Sequence, residues 1–362
     1  MAIKHSDELH DPALARKLAD AIGEINTREI RLMEVCGTHT MSIFKSGIRS
    51  LLPETISLLS GPGCPVCVTA QGEIDAFIEL ARREDVIVTT FGDLMRVPGS
   101  ASSLQKERAG GADIRMVYSS LDAVEIARQN PHKQVVFLGV GFETTIPTIA
   151  ASILTAYQTG VANYSVYAAH KLAPPALAAL METEGLRIDG FLMPGHVSVI
   201  IGCNAYLPLF ETYHVPSVIA GFEPLDILDA VRRLVVQVEN ETPQVENAYP
   251  RAVTDTGNVK AQALMASIFE TIDVVWRGIG KIPKSGLKIR EKYRAHDAAS
   301  IFDLPVADAP EPKGCACGEI LTGLKAPPEC PLFRKTCTPV DPVGPCMVSS
   351  EGTCAAYYRY SE

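Results

Sequence analysis

Short apolar runs that alternate with longer helix-like segments restrict the fold of this chain more than any other feature. Eight such runs lie between about residues 30 and 222: IRLMEV, TISLLS, DVIVTTF, IRMVYS, QVVFLGV, YSVYAA, GFLMP and PSVIAGF. Short, largely apolar runs are typical of parallel strands that helices cover on both faces. The pattern therefore predicts an α/β fold with buried parallel sheets.

Nearly every run ends in a loop of unusual composition. These loops read EV-CGTHT, LLS-GPGCPVC, TTFGD, GVGFETT, AAHKLAPP, MPGHVS and AGFEP. In open α/β sheets, ligands bind beyond the carboxyl ends of the strands. We therefore expect these loops to converge on one functional site.

The strand region also looks duplicated. Residues 117–129 resemble residues 218–234, and residues 35–44 resemble residues 140–149. The similarity predicts two Rossmann-like lobes whose parallel sheets face each other across a cleft. In chain order, the predicted divisions are an N-terminal helix within 1–30, a first lobe at 31–130, a second lobe at 131–240, and a helical connector with a Cys-rich domain at 241–362.

Two helices outside the strand region are predicted from apolar residues at helical spacing. One spans 8–25, and the other spans 259–276, where Ile272 and Val275 share its apolar face. The polar segment before the second helix has two prolines and is typical of a connector. After Pro305 the chain is rich in Pro, Gly and Cys, so this tail needs a metal or a cross-link to fold.

Composition and charge argue against several classes of partner. The chain has 33 Lys and Arg against 42 Asp and Glu, and no stretch concentrates basic residues, so nucleic acid is not expected. The first residues lack the layout of a signal peptide, and no window approaches the roughly 18 apolar residues of a membrane span. We expect a cytoplasmic protein without a membrane partner.

Six of the ten cysteines crowd into the tail with the spacing C-x-C-x12-C-x6-C-x8-C-x7-C. Zinc sites usually show paired C-x2-4-C knuckles, which this spacing lacks, so it favours a [4Fe–4S] cluster over zinc or structural disulfides. The C-x-C pair resembles that of ferredoxin:thioredoxin reductase, where one cysteine binds the cluster and its neighbour belongs to a redox disulfide. By position, this resemblance implies Cys315, Cys330, Cys337 and Cys354 as ligands and Cys317 with Cys346 as a redox pair or alternative ligands.

Three earlier cysteines follow predicted strands. Cys64 and Cys67 form a C-x-x-C before a helix predicted to begin near Gln71, whose positive end should lower their thiol pKa values. Such a pair suits thiol–disulfide exchange or a soft metal, and both readings stay open. Cys36 lies in a similar turn one strand away; alone it would suggest core packing. Three cysteines at one sheet edge predict a working thiol site, with His39 as a ligand, a proton donor or a turn residue.

The remaining loops supply polar side chains. A single residue of this kind usually serves a turn, but together they predict a pocket with acid and base capacity. The set comprises Glu143, Thr144, His170, Lys171, His196, Ser198 and Glu223. The sequence shows no Walker A motif, no radical-SAM C-x3-C-x2-C pattern and only part of a dinucleotide fingerprint, so nucleotide is not expected. Cys203 is expected in the core.

Several long motifs occur in order: MEVCGTHTMSIFKSG, SGPGCPVCVT, GFETTIPT, PGHVSVIIG, GFEP and CTPVDPVGPCMVSSEGTCAAYYRY. Together they resemble the HypD family of hydrogenase maturation factors over nearly the whole chain. The resemblance implies a scaffold that assembles the Fe(CN)2CO unit of [NiFe]-hydrogenases and carries a [4Fe–4S] cluster. It also implies a HypC-type chaperone and a HypE-type cyanide donor as partners.

By motif position, the resemblance makes Cys36 the key cysteine at the iron site, shared with the N-terminal cysteine of the chaperone. It makes Cys64 and Cys67 the redox-active or iron-binding pair, and Fe(II) with its cyanide and carbonyl ligands the cargo. The chain would then be a metallocentre-assembly factor. A cluster-dependent thiol–disulfide reductase is the main alternative, although it has no use for Cys36. A structural zinc protein is a third possibility.

Overall fold

The computed structural model describes residues 9–304 and 309–361. Residues 1–8, which open the predicted N-terminal segment, and Pro305, where the Cys-rich tail is predicted to begin, lie outside the described residues. Among the helices of the described ranges, none is both long enough and apolar enough to cross a membrane.

All eight predicted apolar runs form strands, and the predicted α/β fold is confirmed. In chain order these strands are β1 (Ile30–Glu34), β2 (Ile56–Ser60), β3 (Val86–Thr90), β4 (Ile114–Met116), β5 (Gln134–Gly139), β6 (Tyr164–Ala168), β7 (Gly190–Pro194) and β8 (Ser217–Ala220). A short strand β9 (Val245–Asn247) follows in the segment predicted as a connector. An antiparallel hairpin of β10 (Phe269–Trp276) and β11 (Gly280–Ile289) completes the sheets.

Helices cover the strands. In chain order they are α1 (Pro12–Ile25), α2 (Gly37–Ser46), α3 (Ile48–Leu51), α4 (Pro65–Val68), α5 (Gln71–Ala81), α6 (Leu104–Ala109), α7 (Ser120–Gln129), α8 (Ile146–Thr159), α9 (Ala173–Met181), α10 (Gly195–Ile201), α11 (Leu207–Tyr213), α12 (Pro224–Glu239), α13 (Val259–Ile268), α14 (Ala298–Phe302), α15 (Cys317–Leu321), α16 (Pro345–Val348) and α17 (Thr353–Tyr360). The predicted N-terminal helix is confirmed as α1, which begins at Pro12 because the Asp11 carboxylate accepts the Ala13 N–H at 2.8 Å.

The parallel strands form two sheets with the same central order. The first sheet has the order β2-β1-β7-β8-β9 and the second has the order β4-β3-β5-β6. The chain leaves the first sheet after β2, completes the second sheet, and returns to the first at β7. The second lobe is therefore nested within the first, and the prediction of two similar α/β lobes is confirmed.

The lobe boundaries differ from the predicted ones. Residues 31–130 and residues 131–240 each contain two strands of the first sheet and two of the second. The resembling segments 35–44 and 140–149 follow β1 and β5, which hold different positions in their sheets. Parallel neighbours are joined by crossovers whose length does not reveal which strands pair. Sequence order alone therefore could not show the nesting.

Both faces of each sheet are buried, which explains why the strands read as apolar runs. Successive strand residues enter opposite cores: Leu32 packs with α1 and α12, whereas Met33 packs with α9 and the region around α11. In the second sheet, Val88 shares a core with α5 and with the cysteines of the tail. The Cys-rich tail is therefore packed against the second lobe.

The predicted helix over 259–276 is wrong beyond Ile268, where α13 ends and β10 begins. Burial alternates from residue to residue along β10, as on a half-exposed strand, and Ile272 pairs with Gly286 of β11. The apolar residues Ile272 and Val275 keep a helical spacing by coincidence. Pairing with β11 provides the backbone hydrogen bonds that decide the strand.

Candidate functional site

The carboxyl ends of the two sheets meet at one cavity of about 470 Å³. In each sheet the strand order reverses beside the first strand, between β1 and β7 in one sheet and between β3 and β5 in the other. The loops that follow these four strands line the cavity. Ligands bind open α/β sheets at such switch points. Two switch points face each other here, so this cavity is the candidate site.

The cavity wall combines a thiol, hydroxyls, an imidazole, carboxylates and aromatic rings. The first sheet contributes Cys36, Thr38 and His196, and the second contributes Phe91, Asp93, Phe142 and Thr144. Glu351 reaches the same wall from the Cys-rich tail, and the Thr38 hydroxyl donates to its carboxylate at 2.6 Å. The tail therefore closes one side of the cavity.

Cys36 is a buried free thiol at the start of α2. Its backbone N–H donates to Glu34 Oε2 at 3.2 Å, and the Thr40 hydroxyl donates to Glu34 Oε1 at 2.5 Å. Burial raises the pKa of Glu34 to about 8. Burial, together with the nearby Glu351 carboxyl, raises the pKa of the Cys36 thiol to about 12. The thiol is neutral at physiological pH, so a soft cation that binds it must displace its proton.

Two glycines allow the loops around Cys36 to approach closely. The Gly37 N–H donates to the Gly63 carbonyl at 3.0 Å, and a Cβ at Gly63 would collide with the Cys36 backbone. A Cβ at Gly37 would lie 2.9 Å from the Glu351 carbonyl oxygen. Only glycine fits at positions where backbones come this close. These contacts bring the C-x-x-C turn and the tail against Cys36.

Cys64 and Cys67 are joined by a disulfide. Both sulfur atoms are buried, and the Cys67 sulfur lies 3.9 Å from the carbonyl oxygen of Pro345. Between the two cysteines, Pro65 and Val66 line the cavity, and the short helix α4 packs against α16 of the tail. The pair therefore lies between the cavity and the tail cysteines. The helix predicted to begin near Gln71 is confirmed as α5.

In the parts of the chain that the structure describes, no three His, Cys, Asp or Glu side chains are placed to hold one metal ion. Binding of iron by Cys36, Cys64 and Cys67 together stays a prediction. With the C-x-x-C closed as a disulfide, Cys36 is the free thiol that the cavity presents.

His39 lies behind the cavity wall. Its Nε2 must carry the proton, because it donates at 2.8 Å to the carbonyl oxygen of Gly221. Its ring stacks on Phe222, whose ring also stacks on His196 with 3.8 Å between centroids. Burial lowers the pKa of His39 to about 4, so the ring is neutral. His39 fastens the loop after β1 to the loop after β8, while His196 faces the cavity.

The other predicted polar residues are dispersed. Glu143 accepts the Ala173 N–H at 2.9 Å, and burial raises its pKa to about 7. Glu223 forms a half-exposed ion pair with His10 at 2.8 Å.

Ser198 is buried, and its hydroxyl donates to the Pro194 carbonyl at 2.7 Å. Lys171 is buried in an ion pair with Glu73, and Cys203 is buried as predicted. Of the predicted pocket residues, Thr144 and His196 line the cavity.

Sequence reasoning missed three residues near Cys36. Glu34 orders the Cys36 loop, and its signal was a carboxylate within an otherwise apolar run. The Tyr206 hydroxyl donates to Ser198 Oγ at 2.9 Å, because the Ser198 proton is engaged elsewhere. Tyr206 and Glu351 have no local signal, since both arrive through packing between segments distant in sequence.

The tail brings six free cysteines into one region. Cys317 and Cys346 face each other with 2.9 Å between sulfur atoms. Contact with the Cys315 thiol, and then with Cys346, holds the pKa of Cys317 well below its ordinary value. Contact with Cys317 raises the pKa of Cys346. Cys317 also contacts Cys315, and Cys346 also contacts Cys354, so the partition into four ligands and a redox pair stays a prediction.

The donor set of the tail fits an iron–sulfur cluster. Four further thiols come from different segments: Cys315 precedes α15, Cys330 and Cys337 lie in loops, and Cys354 lies in α17. A Cβ at Gly344 would lie 2.9 Å from the Cys315 sulfur, so a glycine here leaves room around that sulfur. Cysteine thiolates are the usual ligands of a [4Fe–4S] cluster. By the predicted partition these four residues would hold it, and that assignment stays a prediction.

The fold and the cavity define a nested two-lobed α/β protein in which facing switch points enclose a buried thiol, backed by a Cys-rich tail. The family model described as "HypD: Hydrogenase formation hypA family" matches residues 13–361. The chain belongs to the HypD family of hydrogenase maturation factors.

Individual relatives agree with this assignment. The chain is 46% identical over 370 residues to "Hydrogenase maturation factor HypD" of Rhodobacter capsulatus, covering 99% of this chain and 98% of that protein. It is 48% identical to the protein of the same name in Azotobacter vinelandii, covering 99% and 97%. A third relative of that name, from Cupriavidus necator, is 46% identical over 99% and 97% of the two chains. The resemblance seen in the motifs is thereby confirmed.

Proposed function

We propose that this chain is the scaffold on which the Fe(CN)2CO centre of a [NiFe]-hydrogenase is assembled, with Cys36 as its iron ligand. A buried free thiol on the wall of a cavity formed by two facing switch points is the observation that carries the proposal. The hydrogenase maturation factors to which the chain is similar supply the reaction class.

The cavity suits a soft iron cargo. Cysteine thiolate is a good ligand for Fe(II), and uptake of the ion releases the proton of the neutral Cys36 thiol. The Glu34 carboxyl holds the Cys36 backbone in place during this exchange. The exposed Thr144 hydroxyl on the opposite wall can donate a hydrogen bond to the nitrogen of a bound cyanide. Aromatic side chains on that wall keep water from the cargo.

The Cys64–Cys67 disulfide is proposed as the redox partner of the iron site. Reduction of this disulfide needs two electrons and two protons, which two thiols at Cys317 and Cys346 supply as they form a disulfide themselves. Packing of α4 on α16 and the contact between Cys67 and Pro345 support this exchange. A [4Fe–4S] cluster bound by Cys315, Cys330, Cys337 and Cys354 would relay electrons one at a time from an external electron donor, and two such electrons with two protons restore the tail thiols.

Partner proteins complete the scheme. Cys36 is a single free thiol in the cavity, and the reduced Cys64–Cys67 pair would add two more beside it. We propose that a HypC-type chaperone provides a further ligand to the iron, and that a HypE-type protein donates the cyanide. Both assignments come from the resemblance of the motifs to the family.

The test compares Cys36→Ala with Cys203→Ala, a matched change at a buried free cysteine that does not line the cavity. Each variant is produced without oxygen together with a HypC-type chaperone, and the complex is examined by infrared spectroscopy. We expect cyanide and carbonyl bands in wild type and Cys203→Ala, and complete loss in Cys36→Ala. Unchanged bands in Cys36→Ala would rule out the proposed iron ligand.

A cluster-dependent thiol–disulfide reductase is a second candidate, because the Cys64–Cys67 disulfide lies against the tail thiols. Such an enzyme would not need Cys36. The same Cys36→Ala variant therefore separates the two functions. Retained reduction of a generic disulfide substrate, together with an absence of infrared bands in wild type, would favour the reductase.

A further inference from the structure

Arg277 carries a buried positive charge that no described residue balances. The side chain is 2% exposed, and its two terminal guanidinium nitrogens have no hydrogen-bond partner within residues 9–304 and 309–361. Its Nε donates to the Thr69 carbonyl at 2.9 Å, and its backbone N–H donates to the Val68 carbonyl at 2.9 Å. The head of the side chain is therefore fixed in place while most of its donors are unused.

A buried unpaired charge is costly, and arginine cannot escape the cost by losing its proton. The described carboxylates nearby are engaged elsewhere. Glu73 pairs with Lys171 at 2.9 Å, and Glu311 accepts the Gly278 N–H at 3.0 Å from the surface side. A further negative group facing the guanidinium would make the arrangement more favourable.

The tail thiols are the groups that can supply this charge. Arg277 lies in the turn between β10 and β11, whose next residue, Gly278, packs against Gly318 so closely that a Cβ would collide with it. Gly318 directly follows Cys317, so this contact places the Arg277 turn beside the tail thiols. On its other side the turn contacts Val68 and Thr69, directly after the C-x-x-C. Arg277 thus lies at the junction of the two cysteine sites.

We propose that Arg277 is the counter-charge of the iron–sulfur cluster held by the tail cysteines, and that it raises the reduction potential of that cluster. This inference rests on the cluster of the proposed function. Arg277 touches no cargo and is a positioning residue, which acts through the charge that it places beside the tail site.

The expected direction follows from electrostatics. Reduction adds an electron and makes a thiolate-ligated cluster more negative, so a fixed positive charge nearby stabilises the reduced form. The interaction is strong because Arg277 is shielded from water. Loss of the charge makes reduction harder and moves the potential to a more negative value.

The experiment uses the full chain purified without oxygen, as wild type, Arg277→Met and Arg277→Lys. Iron and sulfide are quantified, and the cluster potential is measured by a redox titration followed by electron paramagnetic resonance. For Arg277→Met we expect the equilibrium constant for reduction to fall at least about tenfold, a shift of about 59 mV for one electron. Arg277→Lys keeps the charge and should stay close to the wild-type potential.

Arg96→Met is the matched control. Arg96 also contacts the tail, by donating to the Pro339 carbonyl at 3.0 Å and the Val348 carbonyl at 3.2 Å, but its side chain is exposed. Water and salt screen an exposed charge, so Arg96→Met should leave the potential near the wild-type value. A shift equal to that of Arg277→Met would overturn the inference.

Each of the other outcomes also supports or overturns the role of Arg277. A fully loaded Arg277→Met with the wild-type potential overturns the role of Arg277 and leaves the proposed function intact. Cluster loss in Arg277→Met but not in Arg277→Lys supports the role, because the lysine keeps the charge. Cluster loss in both variants overturns it. A wild-type chain without iron and sulfide overturns the cluster itself, and this inference with it.

Discussion

The two lobes share a strand order, yet they present different chemistry to the cavity between them. The first sheet places Cys36 and His196 at its switch point, whereas the second places Phe91, Phe142 and Thr144 at the corresponding point. Because the architecture is the same, the difference comes from loop sequence alone. One lobe supplies the reactive wall, and the other supplies the wall that shapes the cavity.

The largest effect on stability is expected from the shaping wall. Phe142 is buried and stacks on Trp276, with 5.9 Å between ring centroids. Phe142→Ala should lower the free energy of unfolding by about 3 kcal/mol, because it leaves a void beside the indole. Denaturant unfolding measures this loss, and an anaerobic iron titration should still find binding that depends on Cys36. Loss of iron binding in the folded variant would show that both walls take part in the chemistry.

A pair of glycines compares the lobes at the level of the backbone. A Cβ at Gly63, in the first lobe, would collide with the Cys36 backbone, whereas at Gly92, in the second, its nearest neighbour is Met116 Sδ at 3.8 Å. Gly63→Ala should cost about 1–3 kcal/mol of stability, and Gly92→Ala should change it by less than about 0.5 kcal/mol. Thermal unfolding of both variants measures the contrast. Equal effects would mean that the Cys36 loop tolerates displacement.

A buried histidine in each lobe allows the pH dependence of stability to be compared between the lobes. His39 in the first lobe has a hydrogen-bond partner, whereas neither ring nitrogen of His170 in the second lobe has one among the described residues. Burial lowers the pKa of His170 to about 3, from a usual value of 6.5. Below pH 6.5 the His170 ring takes up a proton in the unfolded chain but not in the folded one. Its contribution to the free energy of unfolding is therefore fully present above pH 6.5 and is lost as the pH falls toward 3.

His170→Phe should remove this part of the decline, by up to about 1.4 kcal/mol per pH unit below pH 6.5. Urea unfolding between pH 5 and 7.5 gives the slopes for wild type and variant. Glu143 and Glu34, whose pKa values are raised, act in the opposite direction in both proteins, so the difference isolates His170. His132→Phe, at an exposed histidine, should keep the wild-type slope. An unchanged slope in His170→Phe would contradict a buried neutral ring.

The smallest effect concerns Glu223, which the sequence places in the polar pocket and the structure pairs with His10 at the half-exposed rim. Exposed ion pairs contribute about 0–1 kcal/mol. Glu223→Gln should therefore change stability by less than about 0.5 kcal/mol and leave iron loading at the wild-type level. A clear drop in iron content would show that Glu223 takes part in the reactive wall of the cavity.

The parts of the fold that follow from local burial could be predicted from the sequence. The eight strands of the two lobes can be recognised as apolar runs, because both of their faces are covered. Cys36 was identified because the residues after a central strand lie where ligands bind. The helix–strand boundary at Ile268 was missed because its apolar spacing fits a helix, while the partner strand β11 decides otherwise.

The remaining features depend on contacts between distant segments. Glu351 closes the cavity from more than three hundred residues after Cys36, as the contact with Thr38 shows. Arg277 comes from a hairpin that the sequence did not predict. The nesting of the lobes is equally hidden, because local sequence does not state which parallel strands become neighbours.

The nested order of the strands also sets an order of events during synthesis. Strands β1 and β2 emerge from the ribosome first, but their partner β7 follows only after residues 61–189, which include the whole second sheet. At roughly 5–20 residues per second, the first two strands wait on the order of ten seconds for that partner. The second sheet can form during this wait. Of the two sheet walls, the Cys36 wall is thus completed later in a newborn chain, and the tail adds Glu351 to the cavity only after both sheets exist.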